Sequence, residues 1–183
     1  MKKPSRKTMI LIAVVLVAIS PLLVMALYVD DWSRDLTTNV AWTDPENPEL
    51  SPIEWTGAPL TVNDAIDDFV ETRSNWTQPQ PPLPLPAESP VNRISTQPVG
   101  EMQFHLVRTT GVMRYRDDVW LVAEPVAAEP VDRKTVGEPR CRLHVHSQSR
   151  VGKGDLGQNP RNIRELLDAL REAANAAPGS AGG

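Results

Sequence analysis

Three places in this 183-residue chain gather side chains able to do chemistry. Arg116-Asp117-Asp118 sets two adjacent carboxylates beside a cation. Paired carboxylates can divide acid and base work between them. Neighbours in a regular strand project to opposite faces, however, so both serve one site only at a bend. The second place is the run 147–160 (SQSRVGKGDLGQNP), in which a glycine-rich turn leads from a strand-like stretch into a helix-like one. Backbone N–H groups in such a turn attract anions, and Arg150, Lys153, Arg161 and Arg164 add positive charge. The competing reading is scaffold: the glycines permit a tight turn, Asp155 caps backbone donors, and Arg150 pairs with a carboxylate. The third place is His144-x-His146, two imidazoles on one strand face, which suits a metal if His105 joins them. Without evidence that their strands pair in register, an exposed polar face is the plainer reading, and no metal or cofactor is assigned. Cys141 alternates onto the opposite face and is no natural fourth ligand.

Other chemistries find no support. Gly152, Gly154 and Gly157 spell G-x-G-x-x-G, but Gln158-Asn159-Pro160 delays the helix past the third glycine. No second strand with an acidic residue follows, so the dinucleotide fingerprint is incomplete. A nucleophile elbow, a His-Glu zinc helix and a phosphate-binding P-loop are absent from the sequence.

The elements that must hold these residues are legible from periodicity. Residues 9–29 carry no charge, and as a helix they span about 31 Å, enough for a bilayer core. Lys2, Lys3, Arg6 and Lys7 precede this run and Asp30 and Asp31 follow it. The positive flank predicts a cytoplasmic N-terminus, with the rest of the chain extracytoplasmic in the cell membrane, or periplasmic in a Gram-negative-type envelope. A cleaved signal peptide is the alternative, although the apolar run is longer than the usual signal core. The first eight residues hold four positive charges and no negative ones, so with a total of −4 the remainder carries −8. An acidic exported domain is a poor nonspecific nucleic-acid binder. One cysteine cannot form an intrachain disulfide.

Residues 30–58 read as a juxtamembrane arm, with the domain proper at 59–177 and a disordered tail at 178–183. Val62, Ala65, Ile66, Phe69 and Val70 repeat with helical spacing, with Thr61 as N-cap. Residues 78–90 (QPQPPLPLPAESP) favour extended polyproline conformations and read as a stiff loop between helix and sheet. Strand patterns follow at 91–96, 102–110, 119–124 and 140–149, the last alternating cleanly; 125–139 reads as a loop. A final helix starts near Asn159, its N-cap, with Pro160 at the first helical position and Ile163, Leu166, Leu167 and Leu170 as its stripe. The expected fold class is α+β: an N-terminal transmembrane helix, then a two-layer domain of about four antiparallel strands and two packing helices.

The run beginning Ser147-x-Ser149-Arg150-x-Gly152, with Asp155, Gly157 and Asn159, resembles the C-terminal signature of the domain of unknown function 1499 family. Asp117-Asp118 before a strand resembles that family's other marker. The likeness covers 59–174 and is strongest over 114–163. It implies an identity and a fold but no activity, because the family has no established one. The family often places a basic residue before the helix isoleucine, where this chain has Asn162. The expectation is a noncatalytic binding or interaction module of the cell envelope. Its candidate surface is Arg116, Asp117, Asp118, Ser149, Arg150, Gly152, Asp155 and Asn159, and its partner an envelope protein or a small anionic ligand. The alternatives are an envelope hydrolase using Asp117, Asp118 or Asp155 as acid and base, or an anion- or metal-binding domain.

Overall fold

The computed structural model describes residues 5–29, 32–93, 102–111, 113–126, 130–132, 135–136 and 138–176. In chain order the elements are α1 (Arg6–Tyr28), α2 (Trp32–Asp35), β1 (Val40–Trp42), β2 (Ile53–Thr56), α3 (Thr61–Glu71), β3 (Trp76–Thr77), β4 (Met102–Thr109), β5 (Arg116–Val126), β6 (Pro130–Asp132), β7 (Thr135–Val136), β8 (Arg140–Ser149) and α4 (Gln158–Ala176), with a 3-10 turn at Pro90–Arg93. The tail at 178–183 and the first four residues lie outside the described residues.

The apolar run forms one long helix, α1, which is exposed along its most hydropathic stretch, Arg6–Leu23. Pro21 sits inside it, as membrane helices tolerate. The fold class is α+β: six antiparallel strands run β1-β8-β5-β4-β3, with β2 also pairing β8. Strands β6 and β7 form a separate small hairpin inside the stretch expected to be a loop.

Period-2 alternation decides the packing, because it sends alternate side chains to opposite faces. On one face, Leu106, Val119, Leu121, Cys141, Leu143 and Val145 meet Val62, Ile66 and Phe69 of α3 and Ile163, Leu166, Leu167 and Leu170 of α4. Each fully buried leucine there is worth about 2 kcal/mol of transfer free energy. Burial pushes the Cys141 thiol up to about 11, so it stays protonated and inert.

Besides the β6–β7 hairpin, four departures from the sequence reading lie outside the site. Residues 40–56 are not a free arm, since β1 and β2 pair along β8 and place Ala41, Ile53 and Trp55 in the helix-side core. Of the strand expected at 91–96, residues 91–93 belong to a 3-10 turn (Pro90–Arg93), and 94–96 lie outside the described residues. Thr61 is not an N-cap: Leu60 holds that position without a side-chain bond, and the Thr61 hydroxyl donates to the Ala58 carbonyl while accepting from the Trp55 indole.

The fourth concerns the proline-rich stretch, which adds a third layer over the other sheet face. Leu85 and Val91 pack on Trp120 and Val122. Prolines offer no N–H, so the strap cannot pair as a strand. Leu83 carries its fixation instead: its N–H donates to His105 Nδ1 at 3.1 Å, and its carbonyl accepts from the Trp120 indole at 3.0 Å.

Candidate functional site

The chemically active residue types converge at one end of the sheet, where β4 ends, β5 begins and β8 ends. Register explains their sorting. Asp117 stands opposite Ser149 and faces the helices; Asp118 stands opposite Gln148 and faces the strap side.

On the helix side lies a closed polar network. Asp117 is buried; its Oδ1 accepts from the Ser149 hydroxyl at 2.6 Å and its Oδ2 from the Asn162 amide at 2.9 Å. The same Asn162 amide donates to Ser147 Oγ at 3.1 Å, and Ser147 donates to Asn159 Oδ1 at 2.6 Å. The Asn159 amide reaches the Asn39 carbonyl at 2.7 Å, Ser149 Oγ at 3.1 Å and Asp155 Oδ2. Each buried polar group thereby finds a partner, which is what burial demands.

Asp155 caps α4 from three residues before its start. Its Oδ1 accepts from the Gly157 N–H at 2.9 Å and its Oδ2 from the Asn159 N–H at 3.0 Å. These are orphan donors of the helix N-terminus, where a carboxylate is favoured. Burial nevertheless pushes the Asp155 carboxyl above its ordinary value, against the pull of those bonds. Asn159 therefore lies in the first turn of α4 and is not its N-cap. Gly152 and Gly157 hold positive φ (92° and 75°), which glycine adopts without strain.

On the strap side, Arg150 grips Asp118 with two bonds, Nε to Oδ2 at 2.8 Å and Nη2 to Oδ1 at 2.7 Å. His105 Nε2 lies 2.8 Å from the same Oδ1. Burial opposes the Asp118 charge, but the bonds from Arg150 and His105 outweigh it and hold the carboxyl down to about 2.

The three carboxylates of the hydrolase reading are thus divided. Asp117 and Asp155 sit inside one satisfied network behind the sheet, and Asp118 is clamped on the opposite face. The three histidines share the strap-side face without meeting at a point. His105, Trp120 and His146 lie in one cross-strand row, the indole between the imidazoles with ring centroids 5.3 and 5.5 Å away. His144 lies beside Glu124 at 3.3 Å. The shared-metal arrangement fails on this register, and the face is buried rather than exposed.

An open feature remains. A cleft of about 560 Å³ at this end is lined by Arg114, Arg116 and Arg150, the hydroxyl residues Ser74, Thr77 and Thr109, and their neighbours. Among the described residues, no carboxylate lines it. Arg114 belongs to the β4–β5 turn, which is closed by Thr110 N–H to the Tyr115 carbonyl and Tyr115 N–H to Thr110 Oγ1, each near 2.9 Å. Among the described residues, the guanidinium groups of Arg114 and Arg116 make no hydrogen bond or ion pair.

A family described as a protein of unknown function (DUF1499) matches residues 30–170, a span that contains the Asp117–Asp118 pair and the loop from Ser147 to Asn159. The chain belongs to this family. The match includes β1 and β2, in keeping with their place in the sheet. No curated protein and no solved structure matches the chain.

Sequence reasoning missed Asn162, Asn39 and Arg114. Asn162 left a signal: with Asn159 it forms an i, i+3 amide pair on the apolar stripe of α4, facing a strand whose inward side carries Ser147 and Ser149. Buried hydroxyls and buried amides at matched heights announce a network. Asn39 contributes its backbone carbonyl, which accepts from Asn159 and from the Ser149 N–H, and its side-chain amide, which donates to the Ser149 and Gly152 carbonyls; no local pattern reveals partners so far away in sequence.

Proposed function

We propose that this member of the DUF1499 family is a membrane-anchored, extracytoplasmic and noncatalytic binding module. Its ligand is a small anionic group held in the cleft of Arg114, Arg116 and Arg150. The observation that carries this reading is one cleft lined by three arginines and, among the described residues, by no carboxylate; Arg114 and Arg116 are unpaired there, while Arg150 is held by Asp118. Guanidinium groups match phosphate and carboxylate geometry with paired donors. The carboxylates that a hydrolase would need are instead engaged in structural bonds. The charge-free α1 stretch and its basic flank support the anchor and its orientation.

The test uses the full-length protein in detergent micelles, titrated with inorganic phosphate and with glycerol phosphate by calorimetry. Saturable binding that falls at least tenfold in Arg114→Gln/Arg116→Gln is expected, with an unchanged circular dichroism spectrum. Binding that is absent, or indifferent to both substitutions, sinks the reading. Resistance of the protein to alkaline carbonate extraction from membranes tests the anchor separately.

A further inference from the structure

Beyond α1, the described chain exposes nine large apolar side chains, and six of them gather at one end of the sheet: Trp32, Leu36, Met113, Tyr115, Val151 and Leu156. Isolated exposed apolar residues are ordinary, but gathered ones mark an interaction surface. These six come from three segments that are far apart in sequence: α2 with the turn after it, the β4–β5 turn, and the loop between β8 and α4. Backbone bonds fasten the first segment to the third. The Leu156 N–H donates to the Asp35 carbonyl at 2.9 Å and the Asp155 N–H to the Thr38 carbonyl at 3.1 Å. The arginine cleft lies at the same end, with Arg114 and Arg116 interleaved between Met113 and Asp117.

Chain length decides what this end faces. α1 ends at Tyr28 and α2 begins at Trp32. Four Cα steps reach at most about 14 Å. A bilayer-spanning α1 therefore holds this end of the domain at the headgroup layer. The opposite end, where Thr56 pairs with Arg140 and Leu60 is exposed, lies a sheet length farther away. Trp and Tyr are enriched at that interface, and Arg side chains beside them meet lipid phosphates.

We propose that this end of the domain seats on the outer surface of the bilayer, and that Arg114 and Arg116 take the phosphate of an anionic lipid headgroup. The proposal rests on the anchored, anion-binding reading above and names the source of the anion. Asp30 and Asp31 in the tether oppose a diffuse attraction to anionic lipid. Arg114 and Arg116, which make no ion pair among the described residues, carry the selectivity instead. Arg150 stays with Asp118 and shapes the wall.

The test places the full-length chain in proteoliposomes of phosphatidylcholine, with or without phosphatidylglycerol. A fluorophore is attached at Met113→Cys or at Leu60→Cys, and brominated acyl chains serve as quencher; Cys141 is buried and does not compete for label. Quenching at position 113 several-fold above that at position 60 is expected, with a further increase in phosphatidylglycerol that Arg114→Gln/Arg116→Gln removes. Equal quenching at both positions in protein that resists carbonate extraction overturns the seating and leaves the anchor standing. Release by carbonate overturns both. Binding of inorganic phosphate with no response to phosphatidylglycerol assigns the cleft to a free anion and overturns the lipid assignment alone.

Discussion

Gly154 packs its Cα against the backbone of Leu36 so closely that a Cβ would stand 2.5 Å from the Leu36 carbonyl oxygen and 2.7 Å from that of Asp35. The contact joins the loop that carries Asp155 to the segment that leads out of α1. The obstacle is backbone on both sides, so neither partner yields by rotating a side chain. Gly154→Ala should lower stability by about 1–3 kcal/mol, the usual cost of overpacking. Urea unfolding of the full-length protein in micelles measures it. Gly111→Ala, where nothing lies within 4 Å of the added atom, is the matched control. Equal midpoints for the two variants would mean that the loop does not rest on the α2 turn.

The network around Asp117 predicts strong coupling. Asn162→Leu removes the donor to Asp117 Oδ2 and leaves a buried carboxylate half-satisfied. A loss of about 2–4 kcal/mol is expected, because the stranded partner pays its desolvation without return. Asp117→Leu alone should cost a similar amount. The double variant should cost less than the two together, since it removes both ends of the bond. Simple additivity in a double-mutant cycle would show that the two groups do not bond in solution.

These two cases also mark how far the sequence could be read. The α4 stripe, the alternation of β8 and the two-faced disposition of Asp117 and Asp118 follow from periodicity, and each fixes one layer. β1 and β2 escaped because they are only three and four residues long. Their strand character comes from the β8 edge they cover, not from local pattern. The strap escaped for the opposite reason. A proline-rich run reads as solvated, yet Leu83 and Leu85 between the prolines are the contacts that cover Trp120. The arginine cleft depends on Arg114 and Arg116 meeting Arg150 from another strand end, and no local spacing encodes that meeting.

Asp118 offers a titration that separates the pair from its surroundings. With Arg150 in place its carboxyl sits at about 2, below the ordinary 3.8. A depressed carboxyl contributes stability that is present above pH 3.8 and is lost as pH falls toward 2. Arg150→Gln removes the charge and both bonds, leaving burial and His105. The Asp118 carboxyl should then rise by roughly one pH unit, followed by carbon-13 chemical shift. The stability loss near neutral pH should stay near about 1 kcal/mol, because the Arg150 side chain is 38% exposed and water screens it. An unshifted Asp118 titration would place the stabilising charge elsewhere.

The strap-covered histidines should make the domain sensitive to mild acid. Burial pushes the His146 imidazole from 6.5 down to about 4, although Gln148 and Glu88 pull it back in part, and His144 beside Glu124 is lowered by burial as well. Between those values the unfolded chain binds the proton and the folded chain does not, so folding loses stability as pH drops from 6.5 toward 4. The His146 share amounts to at most about 3 kcal/mol at the lower limit. The raised carboxyl of Asp155 acts in the opposite sense, gaining stability as it protonates. His146→Phe keeps a ring near Trp120 and removes the titrating group, so its stability should fall less steeply between pH 6.5 and 4. Urea midpoints at half-unit intervals give both slopes. If the slopes coincide, the proton enters at a group other than His146, whose Nδ1 lies 3.0 Å from Ser89 Oγ.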